Sequence, residues 1–486
     1  MSEVLVSTFA TEAAAPTEWP ERESTAVLEA IVAHRGPLIV DLDETLFLRN
    51  STEEFLDGAS PKLFWYFVFK LLDIVKPWRC TGGNASRDVW RVRIALTLCP
   101  GLVRRWHQRV AGLASAHLNH ALAQALRASG NPVIVATLGF DRIVHPLLAA
   151  MGFHDVRVVA CRAGSLADRR KGKLAMVEEA LGADSVRQAL VITDSRDDTA
   201  LLQSSRAGWL VRWPQARYRA ALSGTYAPFR YLMLVKRPGE SYVRRGILLE
   251  DFAFWILSCC TLATRPWHLL CGLAFLLLSF WSIYELGYAD NDRCAERLEE
   301  LPKLSSTYVN KLVDTPSIAP WLWAIAAGAA GMFFLEPTPD YLLFAGRWGA
   351  VLLITHAVFR IYNRIDKSTR VWLFAGLQLL RVAAFAVVVP ITVAGGVVLA
   401  AHTIARWLPY YQYRQVMGLW PPMPVFLVRL LFFVLIMVTL TMATAAGHVW
   451  DASALLILGW CLFRARSNLN EMFEAAHRLD RPTDSK

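Results

Sequence analysis

Asp41 and Asp43 stand two residues apart in Asp41-Leu42-Asp43-Glu44-Thr45, at the end of the apolar run Leu38-Ile39-Val40. Carboxylates so close repel each other unless a cation lies between them. Three later stretches supply matching groups: Thr137 closes Val133-Ile134-Val135-Ala136, Lys171-Gly172-Lys173 brings two ammonium groups, and Asp194 and Asp198 follow Val191-Ile192-Thr193. Asp41, Asp43 and Asp194 are the hard oxygen ligands that Mg²⁺ accepts, with room for water and a phosphate oxygen. In that chemistry Asp41 attacks phosphorus and Asp43 serves as acid and then base. Thr137 and Lys171 would hold the phosphate oxygens and neutralise their charge. Asp198 would join the metal set, orienting its water or Lys171.

These side chains need a scaffold that brings them to one edge. Residues 38–41, 132–137, 156–160, 189–193 and 209–212 are short β-branched runs, separated mostly by segments of helical periodicity such as 114–128 and 174–181. The alternation predicts an α/β, Rossmann-like parallel sheet with helices on both faces, whose ligands sit at the carboxyl ends of the strands. Asp41, Thr137 and Asp194 each end such a run and would face one crevice. The interval 46–130 shows no convincing strand and reads as a helical cap insert over the site. Within it, Leu63 to Leu72 is unusually aromatic and too short to span a bilayer. It is either an interfacial helix or the core of the insert.

Taken in order, Asp41-x-Asp43-x-Thr45, Thr137, Lys171 and Asp194-x-x-x-Asp198 resemble the four motifs of the haloacid dehalogenase (HAD) superfamily, over about residues 36–215. The second Asp resembles the phosphatase branch and implies a Mg²⁺-dependent hydrolase working through an aspartyl-phosphate. Two positions depart from the pattern or leave it open: Thr193 stands where a glycine often precedes the fourth motif, and Lys173 competes with Lys171 for the third.

Composition sets the rest of the chain apart. With 486 residues, 55% of them hydrophobic, and a mean hydropathy of +0.33, the chain is too long and too apolar for one soluble domain. A net charge of +10 does not argue for nucleic acid, because the basic residues from 236 to 466 fall between apolar runs, as they do on the cytoplasmic side of a bilayer. The eight cysteines have no C-x-x-C spacing and read as reduced thiols. The first residues lack the basic and apolar regions of a secretory signal.

The domain reading is a partly disordered leader at 1–35, the HAD-like domain at 36–225 with its insert at 46–130, a basic linker at 226–246, a transmembrane domain at 247–466 and a tail at 467–486. Eight spans are expected, near 247–264, 267–288, 318–335, 341–359, 371–389, 391–405, 424–446 and 449–464, with a break at Pro390 and Gly395-Gly396. Turns such as Glu336 to Asp340 would face the opposite side. The basic loops then lie on one side, which puts both termini in the cytoplasm of a bacterial-type inner membrane.

Glu285, Asn291, Asp292 and Glu296 lie where the second span would end in an acidic loop. An Asn-Asp pair there resembles the UbiA-type intramembrane prenyltransferases, which use Mg²⁺ to hold a diphosphate. The later acids of that motif are replaced by Ala295 and Glu299, and the loop Arg406 to Arg414, where a second acidic motif belongs, has no acid. Arg360, Asn363, Asp366 and Arg370 would complete a polar cavity, Arg414 would meet phosphate, and Arg381 would snorkel or bind phosphate. Isolated histidines such as His356, His402 and His448 read as packing residues. The resemblance implies a bifunctional membrane enzyme acting on a polyprenyl phosphate or isoprenoid lipid and a phosphorylated small molecule or sugar. The alternative is a phosphatase anchored by a non-catalytic bundle.

Overall fold

The computed structural model describes residues 19–163, 165–314, 316–336, 340–415, 423–444 and 449–479. Most of the leader, Pro337 to Pro339 of the predicted turn, His448 and the last residues of the tail lie outside them. The chain divides into two compact units, Met1–Thr225 and Tyr226–Lys486.

The first unit is built on five strands: β1 (Leu38–Val40), β2 (Val133–Phe140), β3 (Arg157–Cys161), β4 (Leu190–Thr193) and β5 (Ala207–Leu210). They form one sheet in the order β3-β2-β1-β4-β5, with all four pairings parallel. Every residue of β1 is buried, as a central strand covered on both faces must be, which is why its sequence is a plain apolar run. Val40 pairs with Val135 on one side and with Ile192 on the other. The chain leaves β1 for β2 and later returns to place β4 on the opposite flank, so the order reverses at β1 and a crevice opens beyond its carboxyl end.

Between β1 and β2 lie the helices Ser51–Asp57, Lys62–Val75, Arg87–Leu98, Leu102–His117 and His120–Ala128. The helix expected over 114–128 is broken at Asn119. Its side chain caps the following helix by accepting from the Leu122 amide at 3.2 Å and donates to the Thr45 carbonyl at 3.0 Å. That cap satisfies amides a continuous helix would have satisfied internally. It also ties the end of the insert to the loop that carries the paired carboxylates.

In the second unit four helices among the described residues are long and apolar enough to cross a membrane: Pro266–Leu298, Tyr341–Tyr362, Arg370–Val387 and Val425–Thr444. This corrects the expected eight. Residues 247–264 are not one span: a π-helical stretch, Val243–Phe252, passes into the short helix Ala253–Leu257 and a 3₁₀ turn. Ala319–Leu335 has only 17 residues. The break at Pro390 is present, since the 3₁₀ turn Ala384–Val387 ends before it and the next helix, Val393–Gln415, begins after it. Gly395 and Gly396 lie inside that helix. A Cβ on Gly395 would stand 2.7 Å from the Ser258 carbonyl oxygen, so this glycine permits close packing and does not end a span.

Within residues 226–246, Tyr231, Leu232 and Val235 are buried. One further expectation changes. The acidic loop after the second predicted span is instead the last part of the single 33-residue helix Pro266–Leu298.

Candidate functional site: a carboxylate cluster around one buried lysine

Asp41 is the first residue beyond β1, and its amide still bonds to the Ile192 carbonyl of β4 at 2.9 Å. Its Oδ1 accepts from the Leu42 amide at 2.8 Å. Its Oδ2 accepts from the Thr193 hydroxyl at 3.0 Å and faces the Lys173 ammonium at 2.8 Å. The Asp43 carboxylate turns the other way and accepts from the Ser51 amide at 2.7 Å, at the first turn of the insert. Glu44 takes a left-handed backbone, φ 57°. Thr45 donates to Asp194 Oδ1 at 3.1 Å, so the β1 loop is bonded directly to the loop after β4.

Lys173, not Lys171, occupies this crevice. The helix Leu166–Leu181 is interrupted at Gly172, with φ 79° and ψ 165°, values a glycine adopts without a Cβ penalty. The interruption sends the flanking lysines in different directions. Lys171 pairs with Glu179 at 2.7 Å in solvent, its side chain 43% exposed. Lys173 is 8% exposed and sits 2.8 Å from Asp41 and 2.5 Å from Asp198. Asp198 also accepts from the Thr193 hydroxyl at 2.6 Å, so it orients Lys173 and Thr193 and has no bond to Lys171.

Thr137 is buried in β2, and its hydroxyl accepts from the Gly139 amide at 2.9 Å. A Cβ on Gly139 would lie 3.2 Å from Thr137 Oγ1 and 3.4 Å from Ser51 Oγ, so both hydroxyls border the space that glycine leaves. The helix bearing Lys173 is fastened to the insert where Arg169 meets Asp88 at 2.7 Å.

The cluster holds more acid than base. Burial pushes the Asp41 carboxyl up to about 7; Lys173 opposes the shift, and Asp198 and Asp194 add to it. Burial likewise raises Asp43 to about 6, against the Ser51 amide and Lys173. Glu44, unmarked in the sequence reading, is raised to about 7 by burial and by Asp194 and Asp43. Asp194 is raised by burial. Lys173 is held above its ordinary value: burial would lower it, but Asp41 and Asp198 outweigh that. Among the described residues no three Asp, Glu, His or Cys side chains already converge as a metal cage. The donor chemistry nevertheless suits a hard divalent cation, because the Asp194 charge raises the proton affinity of both Asp41 and Asp43, and a cation among these oxygens relieves that repulsion.

In the helical unit most of the predicted polar residues are bonded to partners within that unit. Glu285 is fully buried and accepts from the Tyr226 hydroxyl at 2.8 Å and from the Phe229 and Leu232 amides at 2.7 Å each. Asp292 meets Lys236 at 2.6 Å and the Tyr231 hydroxyl at 2.9 Å. Asn291 bonds Lys236 at 3.0 Å and Asn363 at 3.1 Å. Glu296 accepts from Tyr308 at 2.8 Å. Arg360 is exposed, Asp366 accepts from the Thr369 amide at 2.9 Å just before the helix Arg370–Ala383, and Arg414 stacks on Tyr410 and Tyr413. Arg381 neither snorkels nor awaits an anion: it bonds Asp251 at 2.6 Å, the Tyr242 hydroxyl at 2.8 Å and the Gly246 carbonyl at 3.0 Å.

Asp251 and its neighbour Glu250 escaped the sequence reading. Asp251 also reaches His402 at 3.3 Å. Glu250 pairs with Arg429 and, at 2.5 Å, with Arg464. Adjacent acids inside an apolar run were the available signal.

An open parallel sheet with a carboxylate just beyond its central strand places that carboxylate at a topological switch point, where ligands of such sheets bind. Residues 38–203 match the family model of haloacid dehalogenase-like hydrolases. No curated protein and no solved structure matches the chain.

Proposed function

We propose that the first unit is a phosphatase that hydrolyses phosphate monoesters through an aspartyl-phosphate on Asp41. The observation that carries this reading is the Asp41 carboxylate at the end of the central strand, oriented through both oxygens by Leu42, Thr193 and Lys173. An Asp41 oxygen attacks phosphorus, and the bond from phosphorus to the ester oxygen breaks. Asp43, whose proton affinity burial raises, gives its proton to the departing oxygen in its protonated form. In the second half Asp43 takes a proton from water as that water attacks the phosphorylated Asp41, releasing phosphate and restoring the carboxylate. Lys173 and Thr137 offset charge on the phosphoryl oxygens. Asp41, Asp43 and Asp194 would hold Mg²⁺, which when bound supplies further neutralisation of phosphoryl charge.

We read the helical unit as a membrane anchor, because four helices meet the length and apolarity of spans. Lys236, Arg237, Arg244 and Arg245 beside its first segment favour a cytoplasmic face for the hydrolase in an inner membrane. A UbiA-type transferase acting on polyprenyl phosphate is the less favoured reading, since Asn291 and Asp292 are already bonded to Asn363, Lys236 and Tyr231.

The test is p-nitrophenyl phosphate hydrolysis by the purified full chain in detergent with Mg²⁺, together with mass analysis of the Asp41 peptide. Wild type releases phosphate and carries a transient phosphoryl group on Asp41, and Asp41→Asn does neither. Turnover by Asp41→Asn at the wild-type rate refutes the mechanism.

A further inference from the structure

The helix Lys62–Val75 of the insert is apolar on two faces, one buried and one exposed. Trp65, Tyr66 and Phe69 are buried; Trp65 packs against Phe69, and Arg91 lies 5.0 Å from the Phe69 ring. Arg91 is itself fixed by a bidentate pair with Glu53 at 2.6 and 3.0 Å, so the inner face is anchored to the first helix of the insert. The outer face carries Leu63, Phe64, Phe67, Leu71, Ile74 and Val75, all exposed, with Leu71 at 60% and Ile74 at 77%. Their spacing of three to four residues makes them one continuous stripe. A soluble surface does not concentrate that much apolar area on four turns without a partner.

The charges beside the stripe indicate which partner. Lys70, Lys76 and Arg79 are exposed at the stripe or just beyond its end, and the one acid within the helix, Asp73, is engaged by Arg87 at 3.0 Å. Apolar side chains bordered by basic ones fit the headgroup layer of an anionic bilayer. A helix of 14 residues is about 21 Å long and cannot cross the roughly 30 Å hydrocarbon layer, so it would lie in the interface plane.

We propose that Lys62–Val75 is a membrane-docking helix that seats the stripe Leu63 to Val75 in the surface of an anionic bilayer. The inference rests on the membrane attachment read from the four long apolar helices and is independent of the phosphatase reading. Tethering keeps the bilayer at high effective concentration, so a modest apolar face suffices.

The test places a benzophenone amino acid at Phe67, Leu71 or Ile74, one at a time, in the full chain, reconstituted in nanodiscs of phosphatidylglycerol and phosphatidylcholine. Irradiation is followed by mass analysis of adducts. Gln124, exposed on another helix of the unit, is the reference position, and melting curves confirm that each variant is folded. Lipid adducts at all three positions, well above those at Gln124, support the proposal. A Lys70→Gln, Lys76→Gln, Arg79→Gln variant should weaken seating by about a hundredfold and lower the adducts with it, since each of the three basic residues contributes a factor of about five to attraction by an anionic surface. Adducts to protein, either within the chain or to a second copy, overturn it. So do lipid adducts no more frequent than at Gln124.

Discussion

Replacing Lys173 with Met should damage both stability and activity, whereas the same change at Lys171 should damage neither. Lys173 is 8% exposed and neutralises two buried carboxylates at 2.8 and 2.5 Å. Removing the cation leaves Asp41 and Asp198 uncompensated, a loss of about 3–5 kcal/mol for a broken buried pair. For a unit of this size about 2–4 °C accompanies each kcal/mol, so melting of the metal-free protein should fall by about 6–20 °C. Mg²⁺ binds the folded form and should restore part of it. A preorganised cation facing phosphoryl charge is worth about 10²–10³ in kcat, and p-nitrophenyl phosphate turnover should fall by that factor. Lys171 and Glu179 are a solvent pair, 43% and 66% exposed, worth about 0–1 kcal/mol, so Lys171→Met should melt and turn over close to wild type. Equal losses in the two variants, or near-normal turnover by Lys173→Met, would refute the assignment of the buried ammonium to the site.

Gly172→Ala should move Lys173 without removing it: the position has φ 79° with open space around it, so the cost is a backbone term of about 1–2 kcal/mol, and kcat should fall more than stability does. Because burial raises Asp41 to about 7 and Asp43 to about 6 from an ordinary 3.8, the metal-free fold keeps protons that the unfolded chain has released. Its stability, followed by thermal melts, should therefore fall as pH rises from about 4 to about 7. Mg²⁺ must displace those protons, so titration calorimetry should find its affinity climbing over the same interval and levelling above pH 8; an affinity independent of pH would contradict the raised carboxylates. In the helical unit, Arg381→Met should destabilise the protein in detergent by about 3–5 kcal/mol by stranding buried Asp251, and adding Asp251→Asn should recover much of that loss.

The strands were legible because buried parallel strands are plain β-branched runs, and the five expected runs overlap β1 to β5 within a few residues. The carboxylates were legible because acids directly after such runs have few reasons to be there. The choice between Lys171 and Lys173 was not, since it depends on the backbone at Gly172; a glycine between two lysines in a helical run is the sign, though it does not say which lysine turns inward. The helix expected through Asn119 failed for a related reason, because a local cap outcompeted the apolar periodicity. The first expected span failed because apolar length was read without asking what Glu250 and Asp251 would need. Their partners are distant in sequence: Arg381 lies 130 residues beyond Asp251, and Arg464 lies 214 beyond Glu250. No local pattern links such pairs.

The two units handle buried acid in opposite ways, and the contrast bears on which of them is built for chemistry. In the helical unit Glu250 and Asp251 are met by Arg381, Arg429, Arg464 and His402, and Glu285 is saturated by two amides and a hydroxyl. Acids supplied with donors in this way cost little once folded and hold the geometry of the helices that carry them. Around β1 the ammonium of Lys173 confronts Asp41 and Asp198 directly, and the Asp194 charge raises the proton affinity of Asp41, Asp43 and Glu44. A fold retains such a surplus at the mouth of its central strand only where something positive is to be drawn in. On the phosphatase reading proposed above, that surplus is where the chemistry sits, and the paired acids of the helical unit serve packing.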